Sequence, residues 1–232
     1  RELLAMVGAP ERRFLVHLVM GEMRQGAQEG IVLAALARAF GVDEAAVRRA
    51  VMLAGSLPAI AARLARGESL GEVGLRVFVP VQPMLADTAE DVAELEGLEG
   101  LLLEAKLDGA RVQAHVAGGV VKVYSRALNE VTGAVPEVVE QLAGLGLSDG
   151  IFDGEVIALR GNGRPHPFQT TMRRFGSKTD DGPARRELPL TTFWFDALRV
   201  EGVDLIDRPL AERRARLEAL LPTSLTPARR VT

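Results

Sequence analysis

The spacing of apolar residues changes once along this chain, and that change most restricts the folds open to it. Up to about residue 70 the apolar positions recur every three or four residues, the period of a helix with one buried face. Residues 11–24 carry Phe14, Leu15, Leu18, Val19 and Met23 on that spacing. Residues 28–40 carry Ile31, Val32, Leu36 and Phe40 before Gly41. Asp43 suits the N-cap of a third helix with Val47, Val51 and Met52, ending at Gly55; Ser56 suits the cap of a fourth, with Ile60 and Leu64 inward and Gly67 after it. No strand is expected there, and short Gly-containing turns predict a compact helical bundle. Pro80 and Pro83 then interrupt regular structure.

Beyond them the period becomes two. Strands are expected over 101–105, 112–116, 120–124, 151–159 and 190–198, with Gly118-Gly119 turning the chain between the second and third. Helices are expected over 137–145, with Pro136 near the start, and over 208–221. Residues 160–189, rich in Gly, Pro, Arg and Asp, read as a long loop with one helical turn at most. The boundary is placed near residue 78, giving domains 1–78 and 79–232.

Charge and composition narrow the function. The net charge is −3, so the whole molecule is not a basic nucleic-acid coat. Residues 1–79 carry 10 Arg and 8 acidic groups, net +2, and the rest 18 basic and 23 acidic, net −5. A mildly positive first part is compatible with phosphate contact. The absence of cysteine excludes disulfides, Cys-ligated zinc and thiol nucleophiles. No apolar run is long enough to span a bilayer and the start lacks a signal-peptide layout, so a soluble, cytoplasmic protein is expected.

Lysine is scarce. Only Lys106, Lys122 and Lys178 occur, while arginine supplies almost all the positive charge. Codon bias is the competing explanation of this Lys-poor composition. Yet Lys106 stands in Glu104-Ala-Lys-Leu-Asp108-Gly109-Ala-Arg111, and an amine can do what a guanidinium cannot: lose its proton and become a nucleophile. The competing reading is a hairpin turn at Asp108-Gly109 with a solvated lysine. Asp153-Gly-Glu155 lies inside an apolar strand, where its carboxylates either meet a partner such as a metal ion or ligand hydroxyl, or alternate onto a solvated face. Arg126 ends a strand, at a site or in water. Phe195 is either core or a stacking face for a purine. Arg24-Gln25-Gly26 lies between the first two helices, either as a helix end pressed on a phosphate backbone or as a Gly-capped turn in water.

Taken in order, these residues resemble the ATP-dependent DNA ligases of the covalent nucleotidyltransferase superfamily. Glu104-x-Lys106-x-Asp108-Gly109-x-Arg111 is similar to the nucleophile motif, Tyr124-Ser125-Arg126 to the arginine motif and Phe152-Asp153-Gly154-Glu155 to the acidic motif. Phe195-Asp196-Ala197-Leu198, with Gly202, Arg208-Pro209-Leu210 and Glu212-Arg213-Arg214, resembles the aromatic motif and its following helix. Pro167-Phe168-Gln169 with Arg173-Arg174 resembles an intervening segment, and Gly21-Glu-Met-Arg24-Gln-Gly26 part of the N-terminal domain. The resemblance implies a multi-domain α and α+β protein: an all-helical DNA-binding domain, then a partial nucleotidyltransferase (adenylation) domain of antiparallel sheets and flanking helices.

It also implies roles. Lys106 takes AMP from ATP as a phosphoramidate. Glu104 lies against adenine, Phe195 stacks on it, and Arg111 and Arg126 contact sugar and phosphate. Glu155 holds a ribose hydroxyl or helps place Mg²⁺, while Asp108 and Gly109 shape the turn. Arg24, Gln25 and Gly26 contact DNA. The implied partners are ATP and nicked duplex DNA, bound by a monomer without a membrane. The family's later lysine motifs and oligonucleotide-binding barrel are not found before Thr232, so the chain is expected to be a fragment. Two other readings share features with this one: an RNA ligase or capping-type nucleotidyltransferase, and a non-catalytic DNA-binding remnant. An NAD-dependent ligase is disfavoured, since those carry a cysteine zinc module.

Overall fold

The computed structural model describes residues 6–20, 28–84, 88–95, 102–176, 182–221 and 228–230. Its contacts fall into two compact units, residues 1–47 and 48–232. The first contains α1 (Ala9–Met20) and α2 (Glu29–Phe40) and the start of α3 (Glu44–Ala54). Gly41 closes α2 in the left-handed conformation, and the Asp43 carboxylate caps α3 by accepting from the Ala46 amide at 2.9 Å. Helical period over 11–20 does produce a helix. Its apolar stripe is not buried, however: Phe14, Leu18 and Val19 are all exposed. Met23, of the same stripe, and Arg24, Gln25 and Gly26 lie outside the described residues.

In the second unit α4 (Leu57–Ala65) follows Ser56, whose hydroxyl accepts from the Ala59 amide at 3.3 Å, and buries Ile60 and Leu64. Leu53 of α3 shares an apolar cluster with Leu75, Val81, Ile151 and Leu198. The packing therefore divides earlier than the period changes: the end of α3 and the segment through Val81 share a core with the sheet beyond.

That sheet has five antiparallel strands in the order β3-β2-β4-β5-β6: β2 (Ala110–Ala117), β3 (Val120–Ser125), β4 (Asp149–Ala158), β5 (Leu190–Val200) and β6 (Val203–Asp204). A two-stranded pair joins β1 (Leu102–Glu104) to β7 (Ala228–Arg230). Gly118 and Gly119, at φ 55 and 79, supply the left-handed turn that a two-residue hairpin between β2 and β3 needs. Alternation gives the sheet two faces. Val112, Ala114 and Val116 of β2, Phe152 and Val156 of β4 and Trp194 of β5 pack with Val138 and Leu142 of α5 (Pro136–Ala143) and Leu217 of α8 (Leu210–Leu220). Trp194 donates its indole N–H to Gln141 at 2.9 Å, so the largest buried side chain leaves no polar atom unpaired. The intervening positions, Arg111, Gln113, His115 and Asp153, carry polar groups on the other face.

The expected loop over 160–189 is corrected. It contains α6 (Phe168–Phe175) and α7 (Gly182–Glu187). The composition hides an apolar stripe, Phe168, Met172 and Phe175, at helical spacing. Arg174 is buried and donates to the Ala134 carbonyl and to Glu137, both at 3.1 Å, which anchors α6. Among the described residues no helix is long and apolar enough to cross a membrane.

His115 is fully buried. Its Nδ1 accepts from the Phe78 amide at 2.9 Å, and its Nε2 meets Gln113 Oε1 at 2.9 Å. Burial lowers its pKa to about 4. The unfolded chain, with an imidazole near pKa 6.5, takes up this proton first, so acidification through about pH 6.5 to 4 removes the stability this group contributes. Ring-nitrogen NMR should show His115 as one neutral Nε2–H tautomer down to about pH 5; a midpoint near 6.5 would contradict the burial argument.

Candidate active site

The loop between β1 and β2, residues 105–109, carries Lys106. The hairpin alternative for Asp108-Gly109 does not apply, because β1 pairs with β7 while β2 pairs with β3 and β4. The loop is pressed against β4 instead. A methyl group on Gly109 would stand 2.4 Å from the Val156 carbonyl oxygen and 2.7 Å from Ile157 Cγ1, so only glycine fits. Its amide donates to Glu155 Oε1 at 3.1 Å.

A cavity of about 860 Å³ opens beside this loop. Glu104, Lys106, Asp108, Gly109, Arg111, Arg126, Glu155 and Phe195 all line it, so every residue assigned from the sequence to the nucleotide pocket faces one space. Phe168, Met172 and Phe175 add an apolar wall that the sequence reading did not assign to the site. Lys106 is exposed and its Nζ donates to the Leu107 carbonyl at 3.2 Å. Burial raises the Glu155 carboxyl, against the opposing pull of the Gly109 amide and the Lys106 charge.

Asp153 does not reach a solvated face. It is buried, accepting from Arg111 Nη2 at 2.7 Å on one oxygen and from Gln113 Nε2 at 3.1 Å on the other. Burial pushes its carboxyl up and the Arg111 guanidinium opposes this. Arg111 also donates to the Met84 carbonyl at 3.3 Å and stands 5.4 Å from the centre of the Phe195 ring. Arg111 is thus held by protein on three sides. Arg126 is exposed at the end of β3 and makes no ion pair among the described residues. Tyr124, from the same motif, is buried and gives its hydroxyl to the Phe78 carbonyl at 3.0 Å.

Phe195 owes its place to a β-bulge. Asp153 lies opposite Asp196 and Gly154 opposite Trp194, which leaves Phe195 as the extra residue on β5. Trp194 stays in the core while its neighbour faces the cavity. Two arginines of α8 brace the bulge. Arg213 forms a bidentate pair with Asp196 at 2.8 and 2.9 Å. Arg214, buried, donates to the Phe195 carbonyl at 2.9 Å and pairs with Glu104 at 3.4 Å. Burial raises the Glu104 carboxyl, and Arg214 opposes this. The sequence signalled Arg213-Arg214 only as part of a helix, because their partners lie on another strand.

Among the described residues no group of three or more His, Cys, Asp or Glu side chains forms a metal cage. Glu155 is the half-buried carboxylate at the cavity, with one oxygen committed to Gly109.

Residues 83–230 match the family model described as the ATP dependent DNA ligase domain. A probable DNA ligase of Anaeromyxobacter sp. (strain Fw109-5) is 54% identical over 99% of this chain, which covers 45% of that relative. One from Mycobacterium avium (strain 104) is 48% identical, again over 99% of this chain and 45% of the relative. The chain thus spans about half the length of the curated relatives it matches. The crystal structure of the ligase domain from M. tuberculosis LigD gives a TM-score of 0.49 at 26% identity, covering 62% of this chain and 45% of that one.

Proposed function

The chain belongs to the ATP-dependent DNA ligase domain family, and from that premise we propose that its cavity binds ATP and that Lys106 captures AMP as the first step of sealing nicks in duplex DNA. The observation that carries this reading is the single cavity that collects Lys106, Arg111, Arg126, Glu155 and Phe195 from separate parts of the chain. The neutral Lys106 amine attacks the α-phosphorus; its proton leaves, an N–P bond forms, and the bond to pyrophosphate breaks in line. Such transfer depends mainly on positioning and charge neutralisation. Arg126 meets the phosphates, Arg111 the sugar and phosphate region, Glu104 the adenine, and Glu155 a ribose hydroxyl or Mg²⁺. A single carboxylate fits Mg²⁺, which commonly keeps waters and takes the remaining ligands from substrate phosphates. When bound there it supplies neutralisation of the triphosphate charge. Asp108 and Gly109 hold the loop.

AMP then passes to the 5′-phosphate at a nick, and attack by the 3′-hydroxyl releases AMP and closes the strand. Residues 1–78 form the DNA-gripping part and 79–232 the nucleotide part of this proposal, with Arg24, Gln25 and Gly26 on the phosphate backbone. Such binding ignores sequence and weakens with salt. The setting is a cytoplasmic monomer acting in DNA replication, repair and recombination.

The test incubates the chain with α-labelled ATP or GTP and Mg²⁺, then denatures it. Acid-labile label from ATP on Lys106 is expected. Label from GTP alone would move the reading to a capping-type transferase; no label, with salt-sensitive duplex binding, would leave a DNA-binding remnant. Phe195→Ala should weaken ATP binding by roughly 1–3 kcal/mol if the ring stacks on adenine, measured by titration. Unchanged affinity would return Phe195 to a packing role.

A further inference from the structure

His115, Gln113 and Arg111 hold the backbone of residues 78–84, which runs along β2 without strand pairing among the described residues. In antiparallel order, His115 takes the Phe78 amide, Gln113 takes both polar atoms of Val81, and Arg111 takes the Met84 carbonyl. Phe78 is held at φ 68, a conformation uncommon outside glycine, with its carbonyl on Tyr124. The Gln82 amide in turn donates to the Met52 carbonyl at the end of α3, at 3.0 Å.

Gln113 is the junction. Its Oε1 accepts from the Val81 amide at 2.7 Å and from His115 Nε2; its Nε2 donates to the Val81 carbonyl at 3.3 Å and to Asp153 at 3.1 Å. Every polar position is used, and a flipped amide would set donor against donor at Val81 and His115. The other oxygen of Asp153 holds Arg111, which stands over Phe195. We propose that Gln113, which lies outside the cavity lining, is a positioning residue for the nucleotide site: it fixes the Asp153 carboxylate and the 78–84 strap in one register, and so sets where Arg111 presents its guanidinium. The proposal rests on the ATP-binding reading above.

The test compares the wild-type chain with Gln113→Leu and Tyr124→Phe, using the ATP dissociation constant and the rate of Lys106 labelling at saturation. Loss of the Asp153 hydrogen bond should weaken ATP about tenfold in Gln113→Leu while the saturating rate stays within about threefold. Tyr124→Phe removes one contact at the Phe78 end of the strap and leaves the Gln113 hold on Val81 and Asp153 in place, so it should change affinity by less than about twofold. Gln113→Met keeps the side-chain length, removes the donor to Asp153 and adds no charge in the buried site; it is the second variant should Leu prevent folding, and should shift affinity in the same direction. Wild-type affinity in the folded Gln113 variants, or an equal loss in Tyr124→Phe, overturns the proposal alone. A wild-type chain that neither binds ATP nor takes label overturns the nucleotide reading, and this proposal with it.

Discussion

Lys106→Arg should abolish labelling from α-labelled ATP, by at least about 10³-fold, because a guanidinium stays protonated at any working pH and offers no lone pair to phosphorus. The charge beside Glu155 is kept, and Lys106 is exposed, so no core contact is lost. Melting temperature should match the wild type. ATP should still bind, since Arg126, Phe195 and the apolar wall of α6 are untouched. The measurement is label retained on the denatured chain, read beside the melting curve. Label persisting at the wild-type level would remove Lys106 as the attachment point and with it the proposed chemistry.

Gly109→Ala should damage both stability and labelling although it adds only one methyl group. The new carbon would collide with the Val156 carbonyl and Ile157, and the Glu155 side chain would stand 3.1 Å away. Val156 pairs with Ala110 across β2 and β4, so that carbonyl cannot retreat without disturbing the ladder. The loop must move instead, and its amide leaves Glu155. Overpacking of this kind costs about 1–3 kcal/mol. Misplacing a nucleophile by about 1 Å costs on the order of 10²-fold in rate. Denaturant unfolding and single-turnover labelling measure the two effects. Gly74→Ala is the control, since an added methyl there meets nothing within 4 Å. A Gly109→Ala protein as stable and as fast as wild type would mean that the tight approach of loop and strand is not needed.

Much of this molecule is legible in order along the chain. Helix period, the caps at Asp43 and Ser56, and the glycines at 41, 55 and 67 place α2, α3 and α4 within a residue or two, because those signals act over one or two turns. Period two and the Gly118-Gly119 pair place the central hairpin for the same reason. Composition misleads where it outweighs period, as over residues 160–189. There Gly, Pro and Arg suggested a loop, and Phe168, Met172 and Phe175 form a helix that walls the cavity. The residues that surround the candidate nucleophile were legible as ordered motifs, and they line one cavity.

Partnership across the chain was not legible. Nothing local to Asp153 says that it is buried between Arg111 and Gln113 rather than solvated. That depends on β2 pairing with β4 in the register that sets Gln113 opposite Asp153. Nor does the run Phe193-Trp194-Phe195 say which ring is core; a bulge against β4 sends Trp194 inward and leaves Phe195 at the cavity. Local sequence determines where elements start, stop and turn, because caps, glycine dihedrals and period are short-range. Register, bulges and buried ion pairs are fixed only when distant segments meet, since their energy lies in contacts beyond the reach of one turn or cap, 42 positions for Arg111 with Asp153 and 17 for Arg213 with Asp196.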